Sequence, residues 1–459
     1  MTAKTTEKYS EIAKKYYQDG KLEEALEACK KAIELEQDLE TISQIMVALF
    51  RDRGDREIDA DNFANVGSWL EKDGKYERAT NFFRRANRLN SKSYHYTYKL
   101  GDLLQKQEQF DEAVEFYLKT IELDPSFLPA HDRLKYAPLN SQQLEKAIET
   151  YYEVVESYPD LPLLHVSLGN LLTRQGLTEQ AIQSYQNAIY KQTLGSNPDY
   201  VKQYWDETVR PKPDFLIVGV GKCGTSSLYV YLNEHPQILR PVEKEIHFLN
   251  HQNHWNQGED WYRSHFPPIP EGCHFLTGEA TPWYITTFNA ERKVFELFPE
   301  VKPIVLLRNP VDRAISHYHM HVADGRDRRS LEEAMTAEME ILQGLEDPTQ
   351  VGKTNYWQTQ QGYLLLGLYF YFLKKWVQVF SKQQLLILKS EDLYQQPAEI
   401  MKQVYDFLEL PNHTLKQYKK FKSGSYSPTR SAIKQKLYEF FQPYNQKLEE
   451  YLDRSFDWE

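Results

Sequence analysis

Asp214-Phe-Leu-Ile-Val-Gly-Val-Gly-Lys-Cys-Gly-Thr-Ser-Ser-Leu-Tyr-Val-Tyr-Leu232 joins an unbroken apolar run to a glycine-rich turn and then to a stretch of helical character. A continuous apolar run, as opposed to an alternating one, marks a strand buried on both faces of a parallel sheet. Two more such runs follow, Lys302-Pro-Ile-Val-Leu-Leu-Arg308 and Gln384-Leu-Leu-Ile-Leu-Lys-Ser390, with long amphipathic stretches between them. Parallel strands need crossovers, so the spacing predicts an α/β domain over residues 212–459 with a central parallel sheet and helical connections.

The turn after the first run has the chemistry of an anion site. Backbone N–H groups at a helix N-terminus favour negative charge, and Gly221 and Gly224 let the chain approach a ligand closely. Lys222 adds a mobile cation, and Thr225, Ser226 and Ser227 add hydroxyl donors, so Lys222, Cys223, Gly224, Thr225, Ser226 and Ser227 form a candidate cradle for phosphate or sulfate. It is not a Walker A loop. Cys223 stands where Ser or Thr should follow the Gly-Lys pair, and Leu216 stands where the earlier glycine belongs, which disfavours a P-loop ATPase. Taken alone, the loop reads equally well as a structural turn between strand and helix. Arg308 ends the second apolar run, on the side where open α/β sheets bind ligands. Ser316 follows about two helical turns later, so the two side chains can reach one phosphate; alone, Arg308 reads as a surface arginine paired with a carboxylate.

The first 195 residues follow a different pattern. Ala79, Ala113, Ala147 and Ala181 recur every 34 positions (113 − 79, 147 − 113, 181 − 147). Four residues after each comes an aromatic, Phe83, Tyr117, Tyr151 or Tyr185, and seven after comes Ala86, Thr120, Val154 or Ala188. On a helix these offsets share a face, so small residues let a paired helix approach while the ring fills the groove. Gly67, Gly101 and Gly169 hold the matching place on the preceding helix, and Lys135 breaks that column. Ala25, Cys29 and Ala32 repeat the pattern out of phase, implying an extra segment around residues 36–62. The period resembles that of tetratricopeptide repeats, which implies an all-α helical-repeat solenoid over 1–195 and a concave groove for a peptide or protein partner. A linker over 196–211 follows, where Pro198, Pro211 and Pro213 discourage regular structure.

Bulk composition narrows the function. A formal net charge of −11 argues against a general nucleic-acid binder. Residues 1–200 hold 25 Lys+Arg against 33 Asp+Glu, which weakens any grip on a polyanionic glycan by this half. Cys29, Cys223 and Cys273 are isolated, suggesting neither a disulfide framework nor a zinc site, and they fit a reducing, cytoplasmic setting. No stretch reaches the roughly 18 apolar residues of a membrane span; Gly362–Leu373 is too short and is expected to be a buried helix. His317, His319 and His321 are spaced by two on a predicted helix, which spreads them around it and favours packing over metal binding.

Gly219-Val-Gly-Lys-Cys-Gly-Thr-Ser-Ser-Leu-Tyr-Val-Tyr-Leu232 resembles the 5′-phosphosulfate loop of sulfotransferases, and Leu306-Leu-Arg-Asn-Pro-Val-Asp-Arg-Ala-Ile-Ser-His-Tyr318 resembles their 3′-phosphate strand and helix. Glu245-Ile-His-Phe-Leu249, His254, Gly258-Glu-Asp-Trp-Tyr262, Lys422-Ser-Gly-Ser-Tyr426 and Ser455-Phe-Asp-Trp458 are similar to the heparan sulfate N- and 3-O-sulfotransferase branch. The resemblance covers roughly residues 212–459. It implies a P-loop-like fold and sulfuryl transfer from 3′-phosphoadenosine 5′-phosphosulfate (PAPS) to a hydroxyl or amine, with no metal expected. Lys222 would then stabilise the leaving phosphate, Arg308 and Ser316 would hold the 3′-phosphate, and Ser423, Gly424, Ser425 and Tyr426 would close the nucleotide site. Glu245 is the expected general base and His247 its competitor, since in an extended segment both share a face. The alternative reading of Glu245 is a structural pair with Lys244 or an arginine. Two departures stand out. Ala280 in Gly278-Glu-Ala-Thr-Pro-Trp-Tyr284 occupies the place of a lysine usual in that branch, and the branch's late disulfide is missing, which puts a heparan-like acceptor in doubt. Glycan, lipid, protein and small-alcohol acceptors all fit. The alternatives are an inactive nucleotide-binding scaffold and a nucleotide or small-molecule kinase.

Overall fold

The computed structural model describes residues 8–34, 41–42, 44–46, 48–49, 56–343, 345, 347–348, 351, 361–419 and 431–458. The chain divides into two compact units, Met1–Leu171 and Leu172–Glu459.

The first unit is helical. Its helices include Tyr9–Gln18, Leu22–Glu34, Arg56–Lys72, Tyr76–Leu89, Tyr94–Lys106, Phe110–Leu123, Leu128–Tyr136 and Ser141–Ser157. The repeating columns of the sequence become a lock between paired helices. Ala79, Ala113 and Ala147 are buried, as are the rings of Phe83, Tyr117 and Tyr151. A Cβ placed on Gly67 would lie 2.7 Å from the Phe83 ring, and one on Gly101 would lie 2.7 Å from Tyr117. Glycine and ring are therefore one device: the ring occupies the volume that any larger residue would need. In the repeat where Lys135 breaks the column, the helix is short and Tyr151 is held differently, its hydroxyl 2.8 Å from His131 Nδ1. The phase break expected around residues 36–62 falls partly outside the described residues.

Helix Pro162–Gln175 runs across the division between the units, and the last repeat helix, Thr178–Ser196, belongs to the second. Tyr185 of that helix packs edge-on against Trp261 at 5.9 Å and lies 4.0 Å from the His265 ring. The proline-bearing stretch that follows is more regular than its sequence suggests. Pro198–Tyr204 is a short helix, because Pro198 occupies its first turn, where a missing N–H has no helical partner to lose. Tyr200 is buried and its hydroxyl donates to the Pro268 carbonyl at 2.5 Å.

The core of the second unit is a five-stranded parallel sheet: β1 (Phe215–Gly219), β2 (Ile238–Leu239), β3 (Leu276–Glu279), β4 (Lys302–Leu307) and β5 (Leu386–Lys389). The spatial order is β2-β3-β1-β4-β5, so β1 is central and every residue in it is buried. Phe215 sits opposite both Gly278 and Lys302. Gly362–Leu373 is buried as expected, but it is not one helix. Gly362 adopts a φ of +73°, a 3-10 turn spans Leu365–Gly367, and the α-helix starts only at Tyr369. Farther on, Phe456 and Trp458 stack at 4.5 Å, and Trp458 packs 5.7 Å from Tyr369. Among the described residues no helix is long and apolar enough to cross a membrane.

The glycine–ring lock is testable. Gly101→Val should destabilise the repeat unit by about 1–3 kcal/mol through overpacking against Tyr117, seen as a lower urea midpoint for the transition of that unit.

Candidate active site

The site forms at the C-terminal ends of β1 and β4, where the crossovers of a parallel sheet leave a crevice. Beyond β1 the chain turns through Lys222, at a φ of +72°, and Gly224, at +92°, into helix Thr225–Leu232. Gly224 is required twice over. Its left-handed backbone suits glycine, and a Cβ there would lie 2.8 Å from the Tyr394 hydroxyl. The turn thereby presents the first N–H groups of the helix to a cleft of about 600 Å³.

Lys222, Gly224, Thr225 and Ser226 line this cleft, with Glu245, Arg308 and Ser316 on its other walls. Cys223 and Ser227 are fully buried and do not line it. Burial pushes the Cys223 thiol up to about 11, and its backbone N–H is engaged by the Val220 carbonyl at 3.2 Å. Arg308 leaves β4 and donates from Nη1 to the Lys222 carbonyl at 3.2 Å, tying the two strand ends together. Its own carbonyl accepts the Tyr369 hydroxyl at 2.8 Å, so the Phe456–Trp458 stack supports Arg308 through Tyr369. Asn309 then caps helix Pro310–Ala323, accepting the N–H groups of Val311 and Asp312. That helix carries Ser316 into the cleft and brings Met320 Sδ to 3.6 Å from Lys222 Nζ. Ser423, Gly424, Ser425 and Tyr426 lie outside the described residues.

Sequence spacing left Glu245 and His247 equivalent, and the structure separates them. The segment is not extended, because His247 takes a φ of +58°. Glu245 faces the cleft, whereas His247 sits behind it with Nε2 at 3.7 Å from Glu245 Oε2 and its ring stacked on His251 at 4.8 Å. The ion pair between Lys244 and Glu245 does exist, at 2.5 Å, yet it leaves the carboxylate on the cleft wall.

Glu279 is what the sequence reading missed. Fully buried at the end of β3, its carboxylate accepts from Tyr284 Oη at 2.7 Å, Tyr262 Oη at 2.9 Å, Thr281 Oγ1 at 2.5 Å and the Ile246 N–H at 3.2 Å. Tyr284 Oη also accepts the Phe248 N–H at 3.0 Å, and the Lys244 carbonyl accepts the Ala280 N–H at 2.9 Å. The segment bearing Glu245 is thus bonded to the end of β3 and the chain just beyond it, residues 244, 246 and 248 meeting Ala280, Glu279 and Tyr284. A carboxylate next to two nearby tyrosines and a threonine was the available signal.

Of the three histidines on helix Pro310–Ala323, His319 is half-buried, while His317 and His321 are buried and form part of the cleft lining. His317 and His321, one turn apart, are buried against Tyr363, with ring separations of 5.1 and 5.6 Å. Burial, aided by the neighbouring Arg313 cation, drives His317 well below its ordinary range, so it is neutral at pH 7.

Burial pushes Glu279 from an ordinary 4.5 up to about 7, its four hydrogen bonds opposing that rise. A carboxyl raised in the folded state retains its proton while the unfolded chain releases one, so stability falls as pH rises from about 4.5 to about 7. Glu279→Gln should remove this contribution: between pH 4.5 and 8, wild type should lose on the order of 3 kcal/mol relative to the variant in urea unfolding.

Comparison with known proteins bears on this architecture. Residues 212–447 match the family described as Sulfotransferase domain, and residues 9–39, 94–127 and 164–195 match Tetratricopeptide repeat families. The chain is 27% identical over 315 residues to membrane-associated sulfotransferase kil1 of Dictyostelium discoideum, covering 54% of this chain and 66% of that protein. It is 30% identical over 278 residues to heparan sulfate glucosamine 3-O-sulfotransferase 3A1 of Mus musculus, covering 55% of this chain and 66% of that protein. The matches therefore span just under two thirds of these two relatives. A crystal structure of a sulfotransferase from Alicyclobacillus acidocaldarius aligns with 54% of this chain and 98% of its own, at 26% identity and a TM-score of 0.45.

Proposed function

Since the chain belongs to the sulfotransferase domain family, we propose that its second unit transfers a sulfuryl group from PAPS to a hydroxyl or amine acceptor. One observation carries this reading: a single cleft is lined by the phosphate-type loop with Lys222, by Arg308 and Ser316, and by the carboxylate of Glu245. The first two sets suit the two ends of a 3′,5′-bisphosphorylated nucleotide. The third suits an acceptor proton.

In this mechanism the acceptor oxygen or nitrogen attacks sulfur in line with the bridging oxygen of the 5′-phosphosulfate. The bond from acceptor to sulfur forms as the sulfur–bridging oxygen bond breaks, and the electron pair leaves with 3′-phosphoadenosine 5′-phosphate (PAP). Glu245 takes the acceptor proton. Lys222 and the helix N–H groups meet the charge that grows on the leaving phosphate, while Arg308 and Ser316 anchor the 3′-phosphate. His247, whose Nε2 lies 3.7 Å from Glu245 Oε2, is outside the cleft lining and so ranks behind Glu245 as the base. The repeats are proposed to hold a protein or peptide partner, and the acceptor class stays open among glycan, lipid, protein and small alcohol.

Calorimetric titration of the full chain with PAP, without metal, is the direct test. PAP should bind in the micromolar range and ATP far more weakly, and Lys222→Ala and Arg308→Ala should each weaken PAP at least about tenfold. A folded protein that ignores PAP would overturn the reading and favour the scaffold alternative.

A further inference from the structure

Lys244 does not itself line the cleft, but its ammonium is bonded to two residues that do. Its Nζ donates to Ser226 Oγ at 2.9 Å and to Glu245 Oε1 at 2.5 Å. Ser226 belongs to the first turn of the anion-facing helix, and both of these partners line the cleft. An ammonium has three N–H donors. Two are used here, and among the described residues the third has no protein acceptor. The side chain is 25% exposed, and its Nζ lies within 2.9 Å of oxygens on two cleft-lining residues.

The main chain explains how the cation arrives there. The Lys244 carbonyl accepts the Ala280 N–H at 2.9 Å, which makes residues 244 and 280 backbone neighbours across two segments. Ala280 is fully buried and carries no charge. Position 244 thus delivers a cation into the neighbourhood where position 280 supplies none.

We propose that Lys244 is a catalytic residue that grips the sulfuryl group in flight. This rests on the donor reading above. In-line transfer puts sulfur between the leaving phosphate, on the loop that includes Ser226, and the acceptor atom whose proton goes to Glu245. A donor group bonded to both Ser226 and Glu245 lies one hydrogen bond from that space. The peripheral oxygens of a transferring group carry its negative charge, and a fixed ammonium beside them stabilises that charge in a partly dry site. Lys244 neither gains nor loses a proton in the step. Its pair with Glu245 also keeps that carboxylate aimed at the same point. Lys222 then serves the leaving oxygen, and Lys244 serves the group being moved.

PAPS carries the sulfuryl group and PAP does not, so comparing the two isolates the contact. Calorimetric titration of wild type, Lys244→Met and Lys244→Arg with PAPS, in the absence of acceptor, and with PAP makes the measurement. Lys244→Met should weaken PAPS about tenfold while leaving PAP within about twofold, and Lys244→Arg should retain most of the PAPS affinity. Equal losses for both nucleotides would mean that Lys244 shapes the phosphate loop and does not touch sulfur. No loss for either would reduce it to a surface ion pair; both results overturn the proposal while leaving the donor reading intact. A wild-type protein that binds neither nucleotide overturns the donor reading itself.

Discussion

A single buried carboxylate governs how one wall of the cleft in this protein is built. Glu279 ends a strand whose neighbours are apolar, and taking it out of water is tolerable only because four donors converge on it. Those donors come from three stretches of chain, at residues 246, 262 and 281–284. The same contacts that satisfy the carboxylate therefore set the path of the segment carrying Lys244, Glu245 and His247. Rigid support behind a reacting group matters because a displacement of about 1 Å can be costly to catalysis. In this site the support is a hydrogen-bonded knot behind the cleft, and its energetic cost is met by polar partners and not by solvent.

Charge is distributed along the chain in a way that fits this division of labour. The chain totals −11, and residues 1–200 contribute −8 of that, 25 − 33, leaving 30 − 33 = −3 for the remainder. The half that holds the cleft is nearly balanced, and its cations converge: Lys222, Arg308 and Arg313 all line the pocket, with Lys244 bonded to Ser226. Glu245, Asp312 and Glu391 line the same cleft, so its cations are local and not a uniform field. An acidic protein can thereby offer cations to a small anion without becoming a general polyanion binder.

Much of this was legible in the sequence, for physical reasons that also mark where legibility stops. Strands β1 and β4 could be read because a strand covered on both faces has to be apolar throughout, and the edge strand β5, though only partly buried, keeps an apolar run as well. The repeats could be read because the contact between Gly101 and Tyr117 tolerates no larger residue, so the same two columns recur every 34 positions. The role of Glu279 could not, since a glutamate after a strand has the same letter whether it is buried among tyrosines or exposed to water. The separation of Glu245 from His247 was equally hidden. It depends on the left-handed turn at His247 and on the bonds to β3. Pro198 misled in the other direction, because a proline that breaks a helix interior also starts a helix well.

The bond from Arg308 Nη1 to the Lys222 carbonyl ties the loop to the end of β4 through protein atoms. A loop tied in this way has less conformational entropy to lose when a nucleotide arrives. For the proposed donor this preorganisation is indiscriminate, because the loop and Arg308 meet phosphates that PAPS and PAP share. Spent and fresh donor then compete for the same cradle. Throughput would follow the ratio of the two nucleotides in the surroundings, which makes removal of PAP by another enzyme part of this protein's working rate.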